Sequence, residues 1–432
     1  MKGGSMLKHK DLLGPILIIF SSLAYADQPL YNCNDLQYGI SLNLKENFYL
    51  ANDIYCDDNV FYPIEGEFSG TLDGRGFTIY DLHLQNHASE PNRGNVGLFR
   101  TLSGSNADTE VPAVKNIKFE NVTIKTHAEI DRGVIAGKAE NAELSDITMN
   151  TLKIVSTSSD NVEIEKGVSG GLIGQAINIS LSNVHLSNVS IDKNTYVGGL
   201  LGVAIGNTVI KQSSINTLST PKASCGYHYI RDNNQTHPVA FDTYECGFGG
   251  LIGRAGDDAT HEGMIKITSS SAQGKSDIHN HAGGLIGRVQ PGQAVSIDNS
   301  YSNVILEPKD CREDCEYAGG ALGRAEGTNI KDAKPITLNY VFVLGRVKLD
   351  AEYRARAVVG HKEKHGAKRV SGSENYFDLD TVEKNHSGDD FSIGVNTVAL
   401  QDPNNKIFEN WDASIWKFEK GKYPELVSNI SE

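Results

Sequence analysis

A short phrase of glycine followed by aliphatic residues recurs along this chain and constrains its fold more than any other feature. It reads Gly97-Leu98-Phe99, then Gly133-Val134-Ile135-Ala136-Gly137, Gly170-Gly171-Leu172-Ile173-Gly174 and Gly198-Gly199-Leu200-Leu201-Gly202. It continues as Gly249-Gly250-Leu251-Ile252-Gly253, Gly283-Gly284-Leu285-Ile286-Gly287 and Gly319-Gly320-Ala321-Leu322-Gly323. A worn copy, Ala357-Val358-Val359-Gly360, ends the series. Positions 97, 133, 171, 199, 250, 284, 320 and 357 align as equivalents, with the longest step between 199 and 250. Periods of this size belong to solenoids, propellers and helical arrays. The 28 residues from 171 to 199 are too few for a four-stranded propeller blade.

Between these phrases lie short β-rich runs such as Val114–Phe119, Ile179–Val184 and Val295–Tyr301, alternating apolar and polar residues at period two. A sustained helical period is absent apart from a short run near Asn34 to Leu42. Glycine permits positive φ or close backbone approach at a corner. The aliphatic pair after it supplies a buried stripe, which one repeat cannot cover but a stack can. Asn116, Asn183, Asn299 and Asn339 recur at turn positions, either as an internal amide ladder or as ordinary turn residues. The expected fold is all-β: a right-handed parallel β-helix, or β-solenoid, with N- and C-terminal capping segments.

The N-terminus reads as a processing segment. Lys8 and Lys10 precede an apolar run from Leu12 to Leu23, and Ala24-Tyr25-Ala26 supplies a small-x-small cleavage pattern. Residues 1–26 are therefore expected to be a signal peptide, exporting the chain through the inner membrane to the surface, the medium or the periplasm. No other apolar stretch is long enough for a membrane span. The formal net charge is −14, and the mature part is more negative still, which argues against nucleic acid or an anionic membrane as main partner. Six cysteines fall into three local pairs, Cys33 with Cys56, Cys225 with Cys246 and Cys311 with Cys315. In an oxidising compartment these read as disulfides. Cys311 and Cys315 lack the second close pair that a zinc site would need.

The phrases together resemble the GLUG-motif family, named for its Gly-Leu-any-Gly signature. Phe68-Ser-Gly-Thr-Leu-Asp-Gly-Arg-Gly-Phe-Thr-Ile79 is similar to the family's opening segment. Asn375-Tyr-Phe-Asp378, Trp411 to Trp416 and Tyr423-Pro-Glu-Leu426 are similar to its closing segment. The resemblance implies a β-helix displayed outside the cell, often adhesin-like, and repeats that also occur in non-catalytic regions of immunoglobulin A-cleaving metalloproteases. It implies no catalytic residues. The organisation expected is a signal peptide (1–26), an N-terminal capping and opening segment (27–92), repeats (93–370) with a disulfide-tied insert near 219–247, and a C-terminal capping segment (371–432). Trp411 and Trp416 are expected to cap the coil rather than line a ligand groove.

Several clusters merit a chemical reading. Asp57-Asp58, Asp257-Asp258 and Asp389-Asp390 offer carboxylates of the kind polysaccharide-cleaving β-helices use, but each sits in a turn-like context where acids are ordinary. His279 and His281 share one face if they lie on a strand, with His261 one excursion earlier; without a third ligand they read as a polar, exposed strand edge. His361-Lys-Glu-Lys-His365 misplaces the glutamate of a zinc-protease helix, so Lys362, Lys364, Lys368 and Arg369 read as a solvated basic loop. The insert carries Tyr227, Tyr229, Arg231 and Tyr244, and such loops on a rigid scaffold suit recognition. The expected function is a secreted or surface scaffold binding a glycan, host-surface or matrix ligand without catalysis, metal or cofactor. A β-helix polysaccharide lyase or hydrolase, and a structural envelope protein, are the alternatives.

Overall fold

The computed structural model describes residues 27–57, 60–86, 94–104, 111–126, 130–157, 167–192, 195–220, 247–257, 262–277, 281–307, 317–327, 333–347, 356–360, 369–382 and 391–429, and only the backbone of 228–232, 235–239 and 361. The expected signal peptide lies outside them. The chain is a parallel β-helix. Its long wall is a 19-stranded sheet, its second wall has nine strands and its third wall five. Within the walls every strand pairing among the described residues is parallel. The antiparallel pairs among the described residues are His228–Asp232 with Gln235–Val239 and the small ribbon Trp416–Lys417 with Glu425–Leu426.

The glycine-aliphatic phrase builds the second and third walls. Gly170, Gly198, Gly249, Gly283 and Gly319 stack in register on the third wall. Leu98, Val134, Leu172, Leu200, Leu251, Leu285, Ala321 and Val358 follow, all fully buried, and from Leu172 onward they form a column linked rung to rung by backbone hydrogen bonds. The second glycines serve close approach rather than positive φ. None is left-handed, and a Cβ on Gly171 or Gly284 would lie 2.1 or 1.9 Å from the carbonyl oxygen of the next rung's glycine. One alignment shifts: Arg132 pairs with Ser169 and Ala136 with Ile173, so Gly133 matches Gly170, and Val134 matches Gly171.

The long wall departs from strict alternation, and the departure is what closes the coil. Strands Ala113–Thr126 and Glu143–Ser156 each bend twice at single left-handed residues: Asn116 and Asn121, then Asp146 and Thr151. Asn183 and Asn188 repeat the pattern in Ser180–Ile191. At each bend two residues in succession avoid the core, so burial falls on Val114, Ile117, Phe119, Val122 and Ile124, and likewise on Leu144, Ile147, Met149, Leu152 and Ile154. Asn and Asp tolerate this backbone region better than other non-glycine residues. Asparagine therefore faces outward as a turn residue. Asn116 donates to Asp73, Asn183 to Asp146 and Asn339 to Asp298.

The polar ladder inside the coil is made of serine instead. Ser213, Ser270 and Ser300 are fully buried in consecutive rungs. Ser213 Oγ, Ser270 Oγ and Ser300 Oγ accept the backbone N–H of Val184, Ser213 and Ser270 respectively. Each also donates to the carbonyl two residues back, so none of these three hydroxyls is buried without partners.

The ends are closed differently. At the N-terminal end the helical run Asp35–Leu42 buries Leu36 and Ile40, and the Cys33–Cys56 disulfide ties it to the first rung. Cys225, Cys246, Cys311 and Cys315 lie outside the described residues. At the other end Ser392–Val395 adds a parallel strand to Asn375–Asp378. The chain then folds back along the outside of the long wall, where Trp411, Trp416, Phe408 and Leu426 bury Tyr301, Phe342 and Tyr376. Trp416 donates its indole N–H to Asn299 at 3.1 Å. Both tryptophans are thus core residues of this overlay and line no groove.

Candidate functional site

The outer face of the long wall carries a candidate site. Its outward residues stack at the rung spacing of roughly 4.8 Å. Thr78, Lys118, Thr148, His185 and Ser214 make one column, and Tyr80, Glu120, Asn150, Ser187 and Asn216 the next. The tyrosine column starts one rung earlier with Tyr55, whose ring stacks on Tyr80 at 4.7 Å.

A ridge bounds this face near its N-terminal end. Asp73 pairs with Lys115 and Thr78 with Lys118, so the bend spanning 74–77 is two residues longer than its neighbour and bulges outward. Arg75 and Gly76 both hold left-handed φ, 51° and 82°. Asp73 secures the bend by accepting from the Arg75 backbone N–H at 2.8 Å and from Asn116 at 3.2 Å. The Arg75 guanidinium lies over the Tyr49 ring, 3.3 Å from its centroid. Behind the ridge is an open depression of about 430 Å³ lined by Arg75, Gly76, Asn116, Ile117, Lys118, Asp146 and Thr148.

The hydrogen bonding around it is uneven. Glu120, Asn150, Ser187 and Asn188 satisfy one another at 2.6 to 3.2 Å. A second chain runs to the depression: Ser214 Oγ donates to His185 Nδ1 at 2.8 Å, His185 Nε2 donates to Asn183 Oδ1 at 2.9 Å, and Asn183 Nδ2 donates to Asp146 Oδ1 at 2.7 Å. Asn183 can give only its amide hydrogens to a carboxylate, which assigns its oxygen to the histidine and the proton to Nε2. Burial lowers the His185 pKa and favours this neutral form. By contrast, the Lys118 ammonium, the Thr148 hydroxyl, the second oxygen of Asp146 and the edges of the Arg75 guanidinium have no hydrogen-bond partner among the described residues. All four face one depression.

The residues singled out in the sequence fare differently. Tyr227 and Tyr244 lie outside the described residues. Tyr229 and Arg231 lie two positions apart in the strand His228–Asp232, of which only the backbone is described. His261, His279, Asp58, Asp258, Asp389 and Asp390 are also outside. His281 is not on an exposed strand edge. It is buried with a φ of 45°, its Nε2 is 2.8 Å from Arg324 Nη1, and its ring stacks on Tyr317. Arg369 does not belong to a solvated loop. It is buried, binding the carbonyls of Lys334, Glu326, Gln290 and Gln293, and burial pushes its pKa down to about 10. No group of three potential metal ligands occurs among the described residues, and none of their helices is long and apolar enough to cross a membrane.

Two groups escaped the sequence reading. One is a ladder of Arg254, Arg288 and Arg324 in register on the second wall. Arg288 reaches Tyr196 Oη at 2.9 Å and Glu326 at 2.8 Å, and the recurrent Gly-Arg at 253–254, 287–288 and 323–324 was its signal. The other is the depression itself. Its residues share no motif, and Asp146 betrayed itself only by replacing the asparagine of neighbouring rungs.

No protein-family model matches the chain, and no curated protein matches it. Solved structures resemble it, among them the following two. A Bacteroides ovatus protein, provisionally described as an immunoglobulin A1 protease, aligns over 94% of this chain and 93% of its own at 13% identity and a TM-score of 0.45. An IgA1 protease aligns over 85% of this chain and 23% of its own at 18% identity and a TM-score of 0.42. The chain spans about a quarter of the latter. Likeness at this level carries no argument about activity.

Proposed function

We propose that this protein is an exported β-helix scaffold that binds a glycan through the outer face of its long wall, in the manner of an adhesin and without catalysis. The observation that carries this reading is the open depression behind the Arg75 ridge, where the edges of a guanidinium, an ammonium, a carboxylate oxygen and a hydroxyl have no hydrogen-bond partner among the described residues. Sugars present dense hydroxyl donors and acceptors, and a few convergent polar groups on a rigid wall are what fixes such a ligand. The rungs hold these side chains in register, so little ordering entropy is spent on binding. The Cys33–Cys56 disulfide fits an oxidising compartment, and the Gly-Leu repeats support membership of the GLUG-motif family.

The test incubates the mature chain with a panel of neutral and acidic polysaccharides, measuring both retention and polymer length. Retention at constant length supports the scaffold. Shortening of any polymer would replace it with an enzyme, and absence of retention would remove the glycan.

A further inference from the structure

We infer that the depression is a subsite for a sugar bearing one anionic group, a carboxylate or a sulfate, read by Arg75 and Lys118. This deepens the glycan reading and rests on it. Both cations line the same hollow, and neither is paired with an acid among the described residues. Lys118 is exposed with no ion-pair partner among the described residues, while the nearby Asp73 is engaged by the Arg75 and Asn116 N–H groups and lies 3.9 Å from Lys115. Stacking on Tyr49 fixes the plane of the Arg75 guanidinium and leaves its N–H edges free. A planar fork held this way matches a carboxylate or sulfate through two parallel hydrogen bonds.

The opposite rim supplies the complementary half. Asp146 Oδ1 is committed to Asn183, and its other oxygen accepts from sugar hydroxyls. The exposed Thr148 hydroxyl donates or accepts beside it. One rim therefore takes negative charge and the other takes hydroxyls. A fully neutral sugar would leave two desolvated cations unanswered. A polyanion with charge on every face would meet Asp146.

The test uses the mature chain with immobilised oligogalacturonate, its neutral methyl ester, and a neutral oligosaccharide with and without a sulfate. Arg75→Asn, which keeps a residue tolerant of left-handed φ, and Lys118→Met are compared with the parent, with unchanged melting as the fold control. The expected result is binding of the anionic member of a pair at least tenfold tighter than its neutral partner, and a tenfold or larger loss in each variant. Preference for the uronate alone assigns a carboxylate, and for the sulfated sugar alone a sulfate. Equal binding of charged and neutral forms, or anion binding untouched by both variants, overturns the subsite while the glycan reading stands. Binding of no oligosaccharide overturns both.

Discussion

Gly171 sits so close under Gly199 that a Cβ on the former would lie 2.1 Å from the carbonyl oxygen of the latter. The contact is to backbone, so no side chain can swing away. Gly171→Ala is expected to cost about 3 kcal/mol or more, in the range of a strained or overpacked core. Gly76→Ala, where a Cβ would meet nothing within 4 Å, pays only for its positive φ, about 1 kcal/mol. Denaturant melts of the two variants check this, and equal losses would refute the close-approach argument.

Removing Ser270 Oγ strips the Ser213 backbone N–H of its acceptor inside the coil. Ser270→Ala should lose about 1–3 kcal/mol, the cost of a buried unsatisfied group. A loss near zero would show that water enters the ladder.

Asp131 is raised from 3.8 to about 6 by burial, despite accepting from the Val168 N–H. Its folded pKa therefore exceeds the unfolded one. The folded state binds the extra proton between about pH 4 and 6, so acidification through that window stabilises, and the cost of the buried charge is complete above about pH 6. Asp131→Asn keeps the acceptor oxygen and should gain on the order of 1–3 kcal/mol at pH 7.5. That gain should vanish by pH 4. Urea titrations at the two pH values decide it, and a gain independent of pH would exclude the charge as its cause.

Trp411 packs edge-on to Phe342 and Phe408 and tilted to Tyr376. Trp411→Ala should cost the overlay about 3–5 kcal/mol while leaving the coil folded, because the buried column of the repeats does not touch it. Hydrogen exchange should rise across 397–429 and stay low across 136–156, 168–191 and 196–205. Uniform loss of protection would mean that overlay and coil unfold together.

Breaking the Cys33–Cys56 link, which closes a 23-residue separation, should cost about 3 kcal/mol by loop entropy. Proteolysis of Cys33→Ser should start within 27–57 and spare the inner rungs.

The chain's own pattern determined the coil. Glycines followed by aliphatic residues at a shared period demand close rung contacts and a stacked apolar column, and Leu172, Leu200, Leu251 and Leu285 form it because no single repeat could bury them. The pattern also determined the Cys33–Cys56 pairing, since neighbours in the sequence of a coil are neighbours in space. It did not determine which way asparagine points. Asn116 and Asn183 turn outward because a left-handed residue interrupts the two-residue alternation, and only the register of adjacent rungs reveals where that interruption falls. The burial of His281 and Arg369 was equally hidden, because their partners Arg324, Gln290 and Glu326 lie some 40 or more residues away in sequence and meet them only through stacking. The depression has the same origin. Arg75, Lys118 and Asp146 come from three successive rungs, share no motif, and converge because a bend two residues longer than its neighbour lifts one of them above the wall.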